Sequence, residues 1–224
     1  MTRLEKYGKT WEIVEGLGQE GLLNENHYRK LFTPRYLPTS LTKDDVWLDV
    51  GANIGAFCVR AAEHVAAVIA VEPEPDCLQL LETNLRLNNI SNVEIIDAAV
   101  VGDDSPTVML ALSNTFSSTH RVGNIRGRDL IEVRAENIDI LVYEHNVNKI
   151  KMDCEGSEVG ILENMDLTPI DEIIFEYHFS FIKDRPWTRY FNIIQRLEDN
   201  GMSILRGIQE QSKTWHTIVW MKRL

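Results

Sequence analysis

Residues 46–57 read VWLDVGANIGAF, an apolar run closed by Asp49 and followed by Gly51 and Gly55. Val46-Trp47-Leu48 has strand character. Ala56 to Ala66 are mostly small or apolar and carry no proline, which predicts a helix. A strand, a tight glycine turn and a helix start together make a nucleotide-binding element. Glycine lets the backbone come close to a ligand, and the first helical N–H groups are free to meet it.

The turn is not the G-x-G-x-x-G of pyrophosphate-binding folds. Asp49 stands two residues before the first glycine, where it repels phosphate and suits a cation. S-adenosylmethionine (SAM) has a sulfonium and an ammonium and no phosphate, so it fits such a turn. The plain alternative is a strand–turn–helix whose glycines serve geometry alone. The pattern Asp-x-Gly-x-x-x-Gly resembles the first motif of class I SAM-dependent methyltransferases, with Asn53 where those often carry a further glycine.

The flanking chain repeats the alternation. Ala67–Val71, AVIAV, is a continuous apolar run suited to a buried parallel strand. Pro75–Leu87 is expected to be a helix, with Leu78, Leu81 and Leu85 on one face and proline in its first turn. Val93–Val100 follows as a third strand, and the β-α-β-α-β order implies a doubly wound sheet with right-handed crossovers. Further strands are expected at 108–112, 131–133, 149–152, 172–175, 202–205 and 217–221. Helices are expected at 136–143, 158–165 and 189–200. The polar stretch 113–129, SNTFSSTHRVGNIRGRD, reads as a long loop. Residues 1–40 read as a separate N-terminal cap segment. Leu4, Tyr7, Trp11, Ile13 and Val14 suggest one side of a helix, and Tyr28, Leu31 and Phe32 a helical turn before Pro34.

Composition narrows the class. With 224 residues, 44% of them hydrophobic, the chain can bury one sizeable α/β core, assigned to residues 41–224. A net charge of −11 works against nucleic acid and anionic membranes. Cys58, Cys77 and Cys154 are odd in number and lack CxxC spacing, so neither disulfides nor zinc are expected. No stretch has the apolar core of a signal peptide or membrane span, and a soluble cytoplasmic protein is the expectation.

Several carboxylates fall where strands end. Glu72, before Pro73, sits where nucleotide-binding α/β folds place a ribose-binding acid. Asp97-Ala98 occupies the same edge on the next strand, as an adenine contact or a plain turn acid. Residues 150–158, IKMDCEGSE, bring Asp153, Glu155 and Glu158 together. Like charges so close point to a cation, a proton transfer or a fixed donor. A helix start made acidic to suit its dipole can explain Glu158 and Glu155, but Asp153 poorly.

The segments DVGANIGAF, VEPEPD, ENIDIL with Asp139, IKMDCEGSE and IIFEYH, in this order, resemble the FkbM-type methyltransferase family across about residues 45–180. The resemblance implies a Rossmann-like class I α/β fold. Its sheet would be doubly wound, mostly parallel and seven-stranded, with an antiparallel C-terminal strand. It implies SAM as cofactor and methylation of a hydroxyl on a sugar, glycan or other natural product. Position by position, Asp49 and the turn Gly51, Ala52, Asn53 and Gly55 would hold the methionine end, with Phe57 beside them. Glu72 and Pro73 would meet the ribose, and Asp97 and Ala98 would border the adenine. Asp153 would face the transferring methyl, with Glu155 beside it.

His178, at the end of the fifth core strand, is a candidate base for the acceptor hydroxyl, or a histidine that only bonds the next loop. Lys151 is a weaker candidate, since strand alternation sends it toward the core or another face. Mg²⁺ held by Asp153 and Glu176 with Glu155 or His178 is conceivable but not favoured, as the spacing is no dedicated metal motif. The cluster His120, Arg121, Arg126, Arg128 and Arg134 allows an RNA acceptor as the alternative, or a merely solvated loop. A SAM-binding module without catalysis is the rival outside enzymes.

Overall fold

Seven strands form the central sheet: β3 (Val46–Val50), β4 (Ala67–Glu72), β5 (Val93–Asp97), β10 (Lys149–Met152), β11 (Glu172–Tyr177), β12 (Met202–Arg206) and β13 (Thr217–Arg223). The structure is a computed structural model and describes residues 1–6, 8–14, 41–113, 120–123, 125, 127–207 and 216–224. The spatial order is β5-β4-β3-β10-β11-β13-β12. β13 alone is reversed relative to the other six strands. The chain winds outward from β3 through β4 to β5, then crosses back to start again at β10. That reversal opens a crevice at the carboxyl ends of β3 and β10.

Helices cover both faces of the sheet. On one, α3 (Ile138–Glu144), α4 (Glu158–Asn164) and α5 (Pro186–Asp199) bury Leu141, Ile161 and Ile193 with Leu48, Ile150 and Ile173. On the other, α1 (Cys58–Ala61) and α2 (Pro75–Leu87) bury Val59, Leu81 and Leu85 with Trp47, Val68 and Ala70. Glu74 caps α2 by accepting from Cys77 N at 2.7 Å, with Pro75 in the first turn. At the far end of the sheet, buried Lys149 pairs with Asp45 (3.1 Å) and Glu172 (3.2 Å). Those acids therefore serve the scaffold.

The run expected as one strand from 93 to 100 divides at Ala98. Residues after it leave the main sheet, and β6 (Ala99–Val101) joins β7 (Thr107–Ala111), β8 (Arg121–Val122) and β9 (Leu130–Asn137) in a second sheet of order β6-β9-β7-β8. This small sheet stands over the crevice from the β5 side.

The helix expected across Leu4, Trp11, Ile13 and Val14 is not formed. Thr2–Lys6 (β1) and Lys9–Ile13 (β2) make an antiparallel hairpin instead, turning at Gly8 with φ +71°. The two-residue alternation of Trp11 and Ile13 decides it, since both are buried on one face of a strand. Tyr7 and the segment 15–40, with its expected turn at Tyr28–Phe32, lie outside the described residues.

The hairpin is fastened to α2 by asparagines. Fully buried Asn84 accepts from Glu12 N at 2.6 Å and donates to Ile54 O at 2.9 Å, and Asn88 Oδ1 accepts from Thr10 N at 3.0 Å. Asn84→Leu leaves those partners unpaired and is expected to cost about 1–3 kcal/mol. The urea midpoint should fall, and tryptophan emission should shift to the red as Trp11 is released. An unchanged midpoint would refute the fastening role.

Candidate active site

The crevice floor follows from register. Asp49 on β3 lies directly beside Lys151 on β10. Their side chains meet at 2.8 Å, with Asp49 fully buried, and Lys151 Nζ also donates to Gly51 O at 3.1 Å. Cys58 Sγ donates to the other Asp49 oxygen at 3.0 Å. Burial raises the Asp49 carboxyl above its ordinary pKa, against the opposing pull of Lys151. Burial alone would lower Lys151, but Asp49 and Asp153 outweigh it and hold the ammonium above its usual pKa. Asp49 thus lies behind the turn, paired with Lys151 and Cys58.

The glycine turn is tied down on the β4 side. Gly51 N and Ala52 N both donate to Val71 O, at 3.0 and 3.1 Å. Gly51 has φ +78°, and a Cβ there would stand 2.2 Å from the Asp153 carbonyl oxygen. Only glycine lets the first turn and the β10 loop pack together. Glu72, 5% exposed, accepts from Asn53 N at 2.8 Å and from Glu74 N at 3.0 Å. Burial pushes its carboxyl up to about 7 despite these two bonds.

The loop after β10 is bent by left-handed residues, Glu155 at φ 54° and Gly156 at φ 109°. A non-glycine residue in that region is strained and held by its surroundings. Burial, then the charge of Asp153, raises Glu155 to about 8. Fully buried Glu158 accepts from Gly156 N at 2.7 Å and from His178 N at 3.0 Å. The same Glu158 oxygen that takes His178 N lies 2.9 Å from His178 Nδ1. Burial alone would lower the imidazole, but Glu158, Asp153 and Glu155 outweigh it and raise His178 to about 9. A histidine already protonated at neutral pH is poorly placed to take a proton.

One pocket occupies this crevice. Of the residues expected from sequence, Gly51, Ala52, Asn53, Phe57, Glu72, Pro73, Ala98, Asp153 and Glu155 line it. Four do not. Asp49 lies beneath, paired with Lys151, and Gly55 packs on Leu81. Asp97 ends β5 with its side chain exposed, while its carbonyl accepts from Arg134 Nε at 3.2 Å. His178 stands behind Asp153 and Glu155. Sequence reasoning set Lys151 aside, yet it lines the pocket, as do Leu110, His120 and Val122 from the small sheet and the residue before it. A lysine inside the buried strand IKM was the available signal, because such a charge needs a partner.

The described members of the basic cluster are engaged within the protein. Arg121 lies 4.0 Å over the Phe181 ring, Arg134 pairs with Glu136 at 2.9 Å, and His120 Nδ1 accepts from Ser113 N at 3.1 Å. Arg126 is outside the described residues. Among the described residues no helix is long and apolar enough to cross a membrane.

This strand order, with a glycine turn at the switch point and an acid ending the second core strand, defines the Rossmann-like class I methyltransferase fold. The sequence profile of the "Methyltransferase FkbM domain" matches residues 49–204, and the chain belongs to that family. The methyltransferase sdnD of Sordaria araneosa is 23% identical over 190 residues, covering 82% of this chain and 68% of the relative. A Streptococcus mutans protein crystallised with S-adenosylhomocysteine superposes with a TM-score of 0.50 at 10% identity, covering 95% of this chain and all of that one. Trm5b of Pyrococcus abyssi gives 0.50 at 14% identity, over 99% of this chain and 55% of that one.

Proposed function

We propose that this protein transfers the methyl group of SAM to a hydroxyl of a sugar, glycan or other small natural-product acceptor. The observation that carries the reading is the lining of one crevice by the Gly51–Asn53 turn, Glu72, Lys151, Asp153 and Glu155. The residues fit the cofactor. The turn, bent at Gly51 and Asn53 by positive φ, lines the pocket with backbone. Val71, Ala98 and Phe57 give the same pocket apolar walls suited to a flat base. An amino-acid end carries both charges, and the floor offers both, the Lys151 ammonium and the Asp153 carboxylate. When bound, SAM supplies an electrophilic methyl on a sulfonium.

The chain's share of the chemistry is orientation and proton removal. Most of the rate gain is assigned to holding the acceptor oxygen in line with the methyl carbon. Asp153 and Glu155 line the pocket; Asp153 is the assigned proton acceptor, and Glu155, raised to about 8, joins it only in alkaline solution. His178 acts from behind them. Titrating the protein with SAM and then NAD by calorimetry tests the cofactor. Heat with NAD and none with SAM would overturn the reading. A screen of glycan, small-molecule and RNA acceptors with labelled SAM tests the acceptor. Label on RNA alone favours the polymer reading, and SAM affinity with no labelled acceptor favours a non-catalytic module.

Glu72 gives this reading a pH signature. In the free protein its carboxyl titrates near 7, and below that pH it is mainly neutral. Ribose hydroxyls donating to it favour the charged form, so binding must expel the proton. SAM affinity is therefore expected to rise with pH, by up to about tenfold per unit, and to level off above about 7. Calorimetry in buffers of different ionisation heat should detect the released proton. Glu72→Gln should abolish the slope and weaken binding about tenfold or more. A slope that survives Glu72→Gln removes Glu72 from the ribose role.

A further inference from the structure

We propose that Asp153, Glu176 and His178 bind a divalent first-row metal ion at the carboxyl ends of β10 and β11. One ligand atom from each lies within 4.8 Å of the others. His178 is 6% exposed and its ring is fixed from one side, with Nδ1 2.9 Å from Glu158 Oε1. A buried carboxylate on Nδ1 is the usual support for a metal-binding histidine, and an ion at Nε2 would take the place of the proton the imidazole carries at neutral pH.

That Nε2 makes no hydrogen bond among the described residues. Its nearest acidic oxygens are Glu155 Oε2 at 3.7 Å and Asp153 Oδ1 at 4.0 Å. Asp153 Oδ1 is itself buried and has no hydrogen-bond partner. Asp153 Oδ1 and His178 Nε2 thus face each other across a gap too long for a hydrogen bond. Atoms that ligate one ion at about 2.1 Å stand about 3–4 Å from each other.

Charge points the same way. Asp153, Glu158 and Glu176 converge around one imidazole, with Glu155 Oε2 3.7 Å from it. Lys151 pairs with Asp49 at 2.8 Å, Arg121 lies over the Phe181 ring stacked on His178, and His216 lies 3.2 Å from Glu176 Oε1. A proton on Nε2 brings one positive charge to this group, and a divalent ion brings two. One imidazole among carboxylates suits Mn²⁺ or Zn²⁺ better than the all-oxygen shells of Mg²⁺ or Ca²⁺.

Three protein ligands leave positions for water or acceptor oxygens, and Asp153 opens onto the pocket. There the ion would lower the pKa of an acceptor hydroxyl. That role rests on the methyl-transfer reading, whereas the binding does not. The test is to titrate the chelator-treated full chain with Mn²⁺, followed by calorimetry and electron paramagnetic resonance. One saturable site is expected, with nitrogen coupling from one imidazole in the pulsed spectrum of the native chain. Asp153→Asn and His178→Ala should each weaken Mn²⁺ about tenfold or more, and Glu158→Gln about tenfold. Absent binding, or bound Mn²⁺ without nitrogen coupling, would overturn the site, and neither result depends on a variant folding. Bound Mn²⁺ without transfer to any acceptor would strike the proposed function and leave the site standing. Transfer that persists without Mn²⁺ binding would do the reverse.

Discussion

Replacing Asp153 by asparagine is expected to lower methyl-transfer turnover about a hundredfold or more, while SAM affinity changes by less than about tenfold. The asparagine keeps the size and fold of the loop, which the backbone holds through Asp153 N donating to Val50 O at 3.0 Å. Gly51 can still pack against the Asp153 carbonyl. What the change removes is the negative charge at the pocket end of β10, where the side chain is about a third exposed. A proton acceptor loses its function in that exchange, and so does an anionic metal ligand. Single-turnover rates with labelled SAM, beside a calorimetric affinity, separate the effects. Turnover within a few-fold of native would make the acid cluster structural. A loss confined to SAM affinity would reassign Asp153 to the methionine end alone.

The sheet could be read from the chain because its strands are buried on both faces. Val46–Leu48 and Ala67–Val71 are near-continuous apolar runs, and β4 ends on Glu72, which lines the crevice. The hairpin was misread because Leu4, Trp11 and Ile13 fit a loose helical spacing as well as an alternating one. The choice between them is made by Asn84 and Asn88, more than seventy residues away. The site was legible where one short segment supplies it, as at Gly51–Asn53 and Asp153–Glu155. It was not legible where two strands must be aligned. The pairing of Asp49 with Lys151 depends on the β3–β10 register, and that of His178 with Glu158 on how α4 packs behind β11. Asp97 shows the same limit, since its place at a strand end was plain but the exposure of its side chain was not.

Lys151→Met is expected to destabilise the protein by about 3–5 kcal/mol, because it leaves a buried carboxylate without its cation. The methionine fills similar volume, so the loss is electrostatic more than steric. Asp49 would keep only the Cys58 thiol as a close donor, and a thiol donates weakly. The remedy open to the variant is to keep Asp49 protonated, which is easier in acid. The sign is therefore fixed. The folded-state pKa of Asp49 would climb further above its unfolded value, so the deficit should shrink as pH falls toward the ordinary carboxylate range and grow as pH rises. Urea unfolding at pH 5 and pH 8 measures it, and an equal deficit at both would refute the buried-charge account. The double variant Asp49→Leu with Lys151→Met removes both charges and should regain much of the lost stability. It should not regain SAM binding if Lys151 meets the carboxylate of the methionine end. A double variant that binds SAM as well as the native chain would confine the pair to the scaffold.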